Sequence, residues 1–452
     1  MNIIVAGLGK VGLEVVEQLS SEGHSVTVID IDAKKVDVAV GSHDIGGVVG
    51  SATDYRVLLE ANIGEAELLI ALTGNDEINL TTCLLSKKLG AKSTIARARN
   101  PEYRDGIYII RDDLGLSMCI NPEMETAREI ARVLKFPLAK NVEPFAKGKI
   151  EMIQYVVKSS DSLCGRTVNS VFSKLKNPVL VCAVERKDRV IIPYGDFVFD
   201  EGDELMLISS PEKLGAFFRE VGIKTTTVRD IIIIGGGRTS YYLAEQLSKE
   251  RLNITIIEID RAVAEEISDL LPNVNVICGD GTDQQILAEE GLREKDALCC
   301  MTGIDEENII ASLYANNVCE DIKTITKVSR AELTYLGRSL GLDSIVTPKK
   351  IAANLILQYV RAKQNSEGSN VLTLYKLAGD KAEALELAVN EDSSLIGVPL
   401  KDLNTSSDVI LASINRQGTI IIPRGSDALK AGDTVIVVTT RLGLDNLEDI
   451  RG

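Results

Sequence analysis

Histidine is almost missing from this chain: only His24 and His43 occur in 452 residues. Proton transfer at neutral pH leans on imidazole more than on any other side chain, so a histidine-based catalytic centre is not expected. His24, at a strand entrance in EGHSVTVID, reads as structural. Paired cysteines are missing too. Cys83, Cys119, Cys164, Cys182, Cys278 and Cys319 stand alone, Cys299 and Cys300 are adjacent, and no CxxC occurs. Most lie in apolar patterns where a reduced thiol packs as a small hydrophobe, so neither a zinc site nor a dithiol site is expected. No apolar run approaches the ~20 residues of a membrane helix; Leu68 to Leu72 and Ile231 to Ile234 are typical of the longest. A positive field is absent as well. Fifty Lys and Arg against 66 Asp and Glu leave a net charge of −16, with a pI near 4.9. Nucleic acid and anionic lipid are therefore poor partners, and a small ligand or another protein is expected instead. Met1 leads directly into the first apolar stretch with no basic or signal-type segment, so a cytoplasmic location is expected.

The stretch that is present and organises the rest is MNIIVAGLGKVGLEVVEQLSSEGHSVTVID, residues 1 to 30. Ile3 to Ala6 form a short buried strand, Gly7, Gly9 and Gly12 follow, and Val11, Val15, Val16 and Leu19 recur at helical spacing. Gly7 permits the tight turn, Gly9 lets backbone approach a pyrophosphate, and Gly12 lets helix and strand pack closely. The helix start then offers unpaired N–H groups and a partial positive charge to phosphate. A second strand, Ser25 to Ile29, ends in Asp30, 23 residues after Gly7, where a carboxylate meets ribose hydroxyls.

Strand and helix patterns keep alternating through GGVVGSATD, ELLIALTGNDEINL, TIARARN and MCINP, which implies a parallel sheet with helices on both faces. Residues 1–136 make this first domain. From 137 to 224 the pattern changes to short strands, IEMIQYVV, VLVCAVERKDRVIIP and ELMLIS, closed by a helix near Lys213 to Glu220. Gly202 and Asp203 read as a hairpin-type turn before the last strand. Length alone suggests about three domains of ~150 residues. A repeat revises this to four. Gly235 stands where Gly7 stood, Glu258 again lies 23 residues on, and VICGDGTD, MTGIDEENI and KTITKVSR echo VVGSATD, LTGNDEINL and STIARARN. The small unit recurs as SLIGVPLKDL and IIIPRGSDALKAGDTVIVV. The chain is thus a duplicated two-domain unit, 1–136 with 137–224 and 225–366 with 367–452, whose internal pseudo-twofold lets two large sites face each other.

These motifs, GLGKVG with VIDID, VVGSATD, ALTGNDEINL and IARARN together with their second copies, resemble the RCK family, the regulators of potassium conductance. Each half resembles a KTN nucleotide-binding domain followed by an RCK C-terminal domain, and tandem units without a membrane segment are similar to the peripheral subunits of Trk potassium uptake systems. The resemblance implies a cytosolic homo-oligomer, a tetrameric ring docked beneath a Trk-type potassium-translocating membrane protein, gated by nucleotide and not an enzyme. It also implies a ligand map. Gly7, Leu8, Gly9, Lys10, Val11 and Gly12 would meet phosphates; Asp30, with Ile31 and Asp32, the ribose; Ser51, Ala52 and Thr53 the adenosine end; Thr73, Gly74 and Arg97 the far end. The second-half counterparts are Gly235, Gly237, Arg238, Thr239, Glu258, Asp280, Gly281 and Thr302.

The halves differ. Ser240 replaces the third glycine and should push helix from strand, Glu258 is one methylene longer than Asp30, and Arg238 offers a phosphate fork that Lys10 lacks. NAD or NADH is therefore expected in the first half, and either no ligand or ATP or ADP in the second, with both acids opposing a 2′-phosphate. Arg97 and Arg99 alternate along a strand and cannot share one pocket; Arg97 is the ligand-side choice. Two helices carry apolar stripes, Met124, Ala127, Ile130, Ala131 and Leu134 in one and Ile351, Leu355, Ile356, Tyr359 and Val360 in the other. Each either covers its own sheet or joins neighbouring units. Asp305, Glu306 and Glu307 read as a solvated helix start in preference to a cation site. The competing function is an NAD-dependent oxidoreductase, since GxGxxG with a ribose acid serves both. It would need a proton-transferring group from the small domain, and 137–224 has no histidine.

Overall fold

The computed structural model describes residues 1–342, 344–365, 370–379, 381–444 and 446–451, so the expected boundary at 366/367 lies outside the described residues. Strands β1 (Asn2–Ala6), β2 (Ser25–Asp30), β3 (Gly46–Val49), β4 (Leu68–Ala71), β5 (Thr94–Arg97) and β6 (Met118–Ile120) form a parallel sheet in the order β3-β2-β1-β4-β5-β6. Helices α1 (Lys10–Ser21), α2 (Ala33–Ser42), α3 (Tyr55–Glu60), α4 (Asp76–Lys88) and α5 (Tyr103–Ile110) connect them, and α6 (Pro122–Lys135) follows the last strand. Helices on both faces explain why β4 is apolar at every position and buried throughout. Strand order reverses between β1 and β4, which opens a crevice at their C-terminal ends.

The first small domain is antiparallel. Its strands β7 (Asn141–Phe145), β8 (Ile150–Val156), β9 (Leu180–Arg186), β10 (Arg189–Ile191) and β11 (Glu204–Ser209) run in the order β10-β9-β11-β8-β7, with α7 (Val168–Phe172) and α8 (Pro211–Glu220). Two elements differ from expectation. β7 reads poorly as a strand because it contains Pro144, which is tolerated here on the sheet edge. The tight hairpin lies at Lys187 and Asp188, both with positive φ, between β9 and β10; the Gly202 turn instead feeds β11, which pairs with β8 and β9.

The second half repeats both sheets. β12 (Asp230–Ile234), β13 (Asn253–Glu258), β14 (Asn275–Cys278), β15 (Ala297–Cys300), β16 (Lys323–Lys327) and β17 (Ser344–Val346) adopt the order β14-β13-β12-β15-β16-β17. Their helices are α9 (Arg238–Ser248), α10 (Arg261–Leu270), α11 (Gln284–Glu289), α12 (Asp305–Val318), α13 (Ala331–Ser339) and α14 (Pro348–Asn365). β18 (Val371–Leu377), β19 (Ala382–Ala388), β20 (Val409–Arg416), β21 (Thr419–Ile421) and β22 (Thr434–Thr439) form the last, antiparallel sheet in the order β18-β19-β22-β20-β21. The expected class, two Rossmann-like parallel-sheet domains each followed by a small α+β domain, is what the chain forms.

Like domains associate with like. Met1–Ile130 and Asp230–Leu357 make one compact unit, Ala131–Arg229 and Gln358–Gly452 another. In the second unit the two antiparallel sheets share a core in which Phe145, Ile150, Met152 and Met206 pack with Leu377, Ala382, Ala384 and Ala412. The Tyr375 hydroxyl donates to the Pro144 carbonyl at 2.9 Å. The helix stripes are only partly as expected. α6 buries Ala127, Ile130, Ala131 and Leu134, but α14 buries Ala352, Ala353, Ile356, Leu357 and Val360, while Ile351, Leu355 and Tyr359 are only half-buried. The small alanines, which carry little weight in a hydrophobic pattern, set the true phase. Among the described residues no helix is long and apolar enough to cross a membrane.

Candidate nucleotide sites

β1 delivers the chain to Gly7, whose φ of +102° is closed to other residues and whose Cβ would stand 2.7 Å from the Thr73 nitrogen. At Gly12 a Cβ would lie 1.9 Å from the Gly7 carbonyl oxygen, so turn and helix touch there. Gly9 faces open space at the start of α1, and no side chain caps that helix. By contrast Asp32, Asp54 and Asn75 cap α2, α3 and α4. The uncapped α1 start, with exposed Gly9 and Lys10, is where an anion would be held. Leu8 is buried, and its N–H donates to Asp30 Oδ2 at 2.6 Å, while Asp32 N donates to Oδ1 at 2.9 Å. Two backbone donors thus fix the carboxylate beside the loop and leave lone pairs for ribose hydroxyls. Ile31 is 78% exposed and Asp32 spends its Oδ1 on the Lys34 N–H, so of this trio Asp30 alone is oriented by the loop.

The second half builds the same frame with different side chains. Gly235 has φ +93°, Gly237 faces open space before the uncapped α9, and Glu258 accepts from Gly236 N at 2.5 Å and Asp260 N at 2.8 Å. Gly236 takes the place of Leu8. A Cβ on it would come within 2.6 Å of Ile267 Cδ1 and 3.1 Å of Glu258 Cγ. The extra methylene of Glu258, and Ile267 where the first half has Ala39, therefore fill the room left by Leu8. A second exchange accompanies it: a Cβ at Gly281 would lie 2.4 Å from Ile234 Cγ2, whereas the first half has Ala52 and Ala6 at these positions, both in one core cluster. Ser240 is accommodated at the start of α9. The loop loosens slightly, the virtual Cβ at Gly235 standing 3.1 Å from Thr302 N, and the Ser240 hydroxyl is buried without a hydrogen-bond partner. Thr239 is buried beside it.

In the loops after β3 and β14, where the resemblance puts the adenosine end, Ser51 and Thr53 join hydroxyls at 2.8 Å, and Asp280 Oδ1 accepts from the Thr282 hydroxyl at 2.7 Å and N–H at 2.9 Å, which lowers its pKa. Ala52 and Gly281 are buried and would offer a ligand backbone only. At the far end a buried asparagine, absent from the expected residues, ties the parts together. Asn79 Oδ1 accepts from Thr73 N at 2.8 Å and from its hydroxyl at 2.7 Å, and Asn79 Nδ2 donates to the Arg97 carbonyl at 2.9 Å. Asn308 does the same for Thr302 N and the Lys327 carbonyl, at 2.8 and 2.9 Å. The shared asparagine of LTGNDEINL and MTGIDEENI was the signal for it. Gly74 and Gly303 border open space. Arg97 donates to the Thr73 carbonyl and Arg99 to Asp76 and the Gly74 carbonyl. The expectation that strand alternation parts them is corrected: β5 ends at Arg97, and both side chains reach the loop after β4. The reading of Asp305 as solvated is corrected: it is buried and accepts from Ser329 N and Arg330 N at 3.0 Å, as Asp76 does from Arg99 N and Asn100 N.

Comparison with known proteins gives this frame a family. The TrkA-N domain model matches residues 3–122 and 231–348, and the TrkA-C domain model 152–222 and 384–452. The chain belongs to the TrkA family. A Trk system potassium uptake protein TrkA homolog of Archaeoglobus fulgidus is 31% identical over 450 residues, covering 100% of both chains. The Trk system potassium uptake protein TrkA of Haemophilus influenzae is 26% identical, covering 97% of this chain and 95% of that one. Among solved structures, the GsuK channel bound to NAD superposes with a TM-score of 0.64 at 18% identity, over 97% of this chain and 76% of that chain. GsuK bound to ADP gives 0.51 at 16%, over 80% and 69%.

The two TrkA-N domains also meet directly. Tyr242, one helical turn into α9, accepts from Asn121 Nδ2 and donates to the Arg99 carbonyl, both at 2.9 Å. At the corresponding place on α1, Glu14 Oε2 lies 3.0 Å from Lys349 Nζ, with the side chains 11% and 22% exposed. These contacts set the strand ends of one TrkA-N domain against the first helix of the other.

Proposed function

We propose that this TrkA-family chain is a nucleotide-sensing regulatory subunit of a Trk-type potassium transport system. It acts on the cytoplasmic side as a homo-oligomeric ring docked on the potassium-translocating membrane protein, and it is not an enzyme. The observation that carries the reading is the double occurrence of one loop-and-acid frame, kept intact in the second half by matched exchanges at Gly236, Glu258 and Ile267. A vestigial copy would have no reason to keep its acid hydrogen-bonded to the loop. The names of the relatives and the NAD- and ADP-bound states of GsuK support nucleotide control of potassium movement. NAD or NADH suits the first half; ATP or ADP suits the second, where Arg238 stands at the mouth.

The test is potassium flux into vesicles that carry a Trk-type membrane protein, measured with and without this chain. The account predicts that the chain binds the vesicles and that flux changes on adding NADH or ATP, with Asp30→Ala and Glu258→Ala each removing part of the response. Flux indifferent to the chain and to every nucleotide would overturn the reading; steady turnover of NADH by the chain alone would favour the oxidoreductase.

A further inference from the structure

Tyr242 lies on the helix that opens the second nucleotide site, yet its hydroxyl is spent on the first domain. What it holds there follows from the sheet. β4 neighbours β1 on the side away from β2 and Asp30, and a Cβ on Gly7 would stand 2.7 Å from Thr73 N in the loop after β4. A dinucleotide with one ribose at Asp30 and its phosphates over Gly9 therefore lays its other half along Thr73 and Gly74, and Gly74 borders open space. A nucleoside diphosphate held in the same way stops short of that loop.

Arg99 fixes the loop. Its guanidinium bonds the Gly74 carbonyl and lies 3.3 Å from Asp76 Oδ1, and its N–H donates to Asp76 Oδ2 at 2.7 Å. Its carbonyl in turn accepts from the Tyr242 hydroxyl at 2.9 Å and from Asn121 Nδ2 at 3.2 Å, and Asn121 Nδ2 also donates to the Tyr242 oxygen at 2.9 Å. Tyr242 is 3% exposed and Asn121 8%, so these bonds form away from water, where they hold position most firmly. A relay of contacts thus runs from α9 of one TrkA-N domain through Arg99 to Gly74, at the far end of the other domain's site.

Among the described residues this relay is built in one direction. In the repeat Ser329 stands for Arg99, Gly303 for Gly74 and Glu14 for Tyr242. Ser329 N still donates to Asp305 at 3.0 Å, but serine has no guanidinium to bring to Gly303, and Arg330 beside it pairs with Asp305 and Glu306. Glu14 meets the Lys349 side chain at 3.0 Å instead of a backbone carbonyl. We propose that Tyr242 is a positioning residue for the first nucleotide site: through Arg99 it holds Gly74 where the second half of a dinucleotide lies, so the first site takes the full length of NAD or NADH only with the second TrkA-N domain docked against it. The proposal rests on the nucleotide reading above and deepens it, since the far end of the second site lacks this support.

The test titrates the full-length chain carrying Glu258→Ala, which leaves the first site, with NADH and with ADP. Tyr242→Phe, which removes the hydroxyl alone, should weaken NADH about fivefold and leave ADP unchanged. Arg99→Gln should lower NADH affinity at least as far, and Tyr242→Phe added to it should cost nothing more, because the hydroxyl acts through Arg99. ADP binding reports in each variant that the site still folds. In the Asp30→Ala background, which leaves the second site, Tyr242→Phe should shift NADH and ADP by the same factor. Equal losses for NADH and ADP at the first site would overturn the proposal, as would losses from the two substitutions that simply add. If NADH binds and Tyr242→Phe leaves it unmoved, only this proposal fails; if the unaltered chain binds no nucleotide, the underlying reading fails with it.

Discussion

In the first TrkA-N domain Leu8, Asp30 and Ala39 stand where the second has Gly236, Glu258 and Ile267, and both carboxylates end on the two corresponding backbone donors. The acid longer by one methylene keeps both hydrogen bonds where the neighbouring leucine side chain is absent and an isoleucine takes the place of alanine. Ala6 and Ala52 against Ile234 and Gly281 repeat the lesson. What the two domains hold in common is the position of donors and acceptors. The filling behind them is interchangeable in sets and not singly, as expected for interiors packed at crystal-like density.

The sharpest way to break the equivalence is Gly12→Ser, which gives the first domain the residue that the second tolerates at 240. Its Cβ would stand 1.9 Å from the Gly7 oxygen, so a loss of more than about 3 kcal/mol is expected in denaturant unfolding, with nucleotide binding at that site abolished. The reverse change, Ser240→Gly, should be neutral or slightly stabilising, because it removes a buried hydroxyl that has no partner. Gly236→Leu comes next, at about 2–3 kcal/mol, through collision with Ile267 and Glu258. The triple variant Gly236→Leu, Glu258→Asp, Ile267→Ala should recover most of that loss and restore the second site; no recovery would mean the three positions are not a set.

A smaller, symmetric effect should follow from Asn79→Ala and Asn308→Ala. Each leaves a buried threonine N–H and a strand carbonyl without their partner, at about 2 kcal/mol per domain, and the two values should agree closely. A large inequality would show that the far ends are not equivalent. The smallest effect compares the antiparallel sheets. Glu151 is buried with Oε2 unpartnered, and burial raises its pKa against the pull of Arg132 and Lys135. Its counterpart Glu383 accepts from Gly443 N at 2.9 Å. The folded chain therefore holds the Glu151 proton more tightly than the unfolded chain. That contribution favours folding below the ordinary carboxylate range and is lost as pH rises through the raised folded value. Glu151→Gln should accordingly stabilise by roughly 1 kcal/mol at pH 7 and by nothing at pH 4, whereas Glu383→Gln should weaken the bond that Gly443 N–H donates.

How much of this was legible depended on the range of the physics involved. The glycine turn, the strand-end acid and the repeat are local backbone requirements written within thirty residues, so Gly7, Gly12, Asp30, Gly235 and Glu258 could be read directly. Asn79 and Asp76 look like ordinary residues of a helix start; their roles appear only when β4, β5 and α4 are brought together. β7 was hidden by Pro144, since an edge strand follows looser rules, and the α14 stripe was misphased because Ala352 and Ala353 carry the contact. The exchange set at Gly236 could not be seen at all without knowing that Ile267 leans over it.

The central claim, that both halves are working nucleotide sites, is most directly tested by isothermal titration of the full-length chain with NADH and ATP. The account predicts two sites per chain, with Asp30→Ala and Glu258→Ala each deleting one. A single site untouched by Glu258→Ala would contradict it.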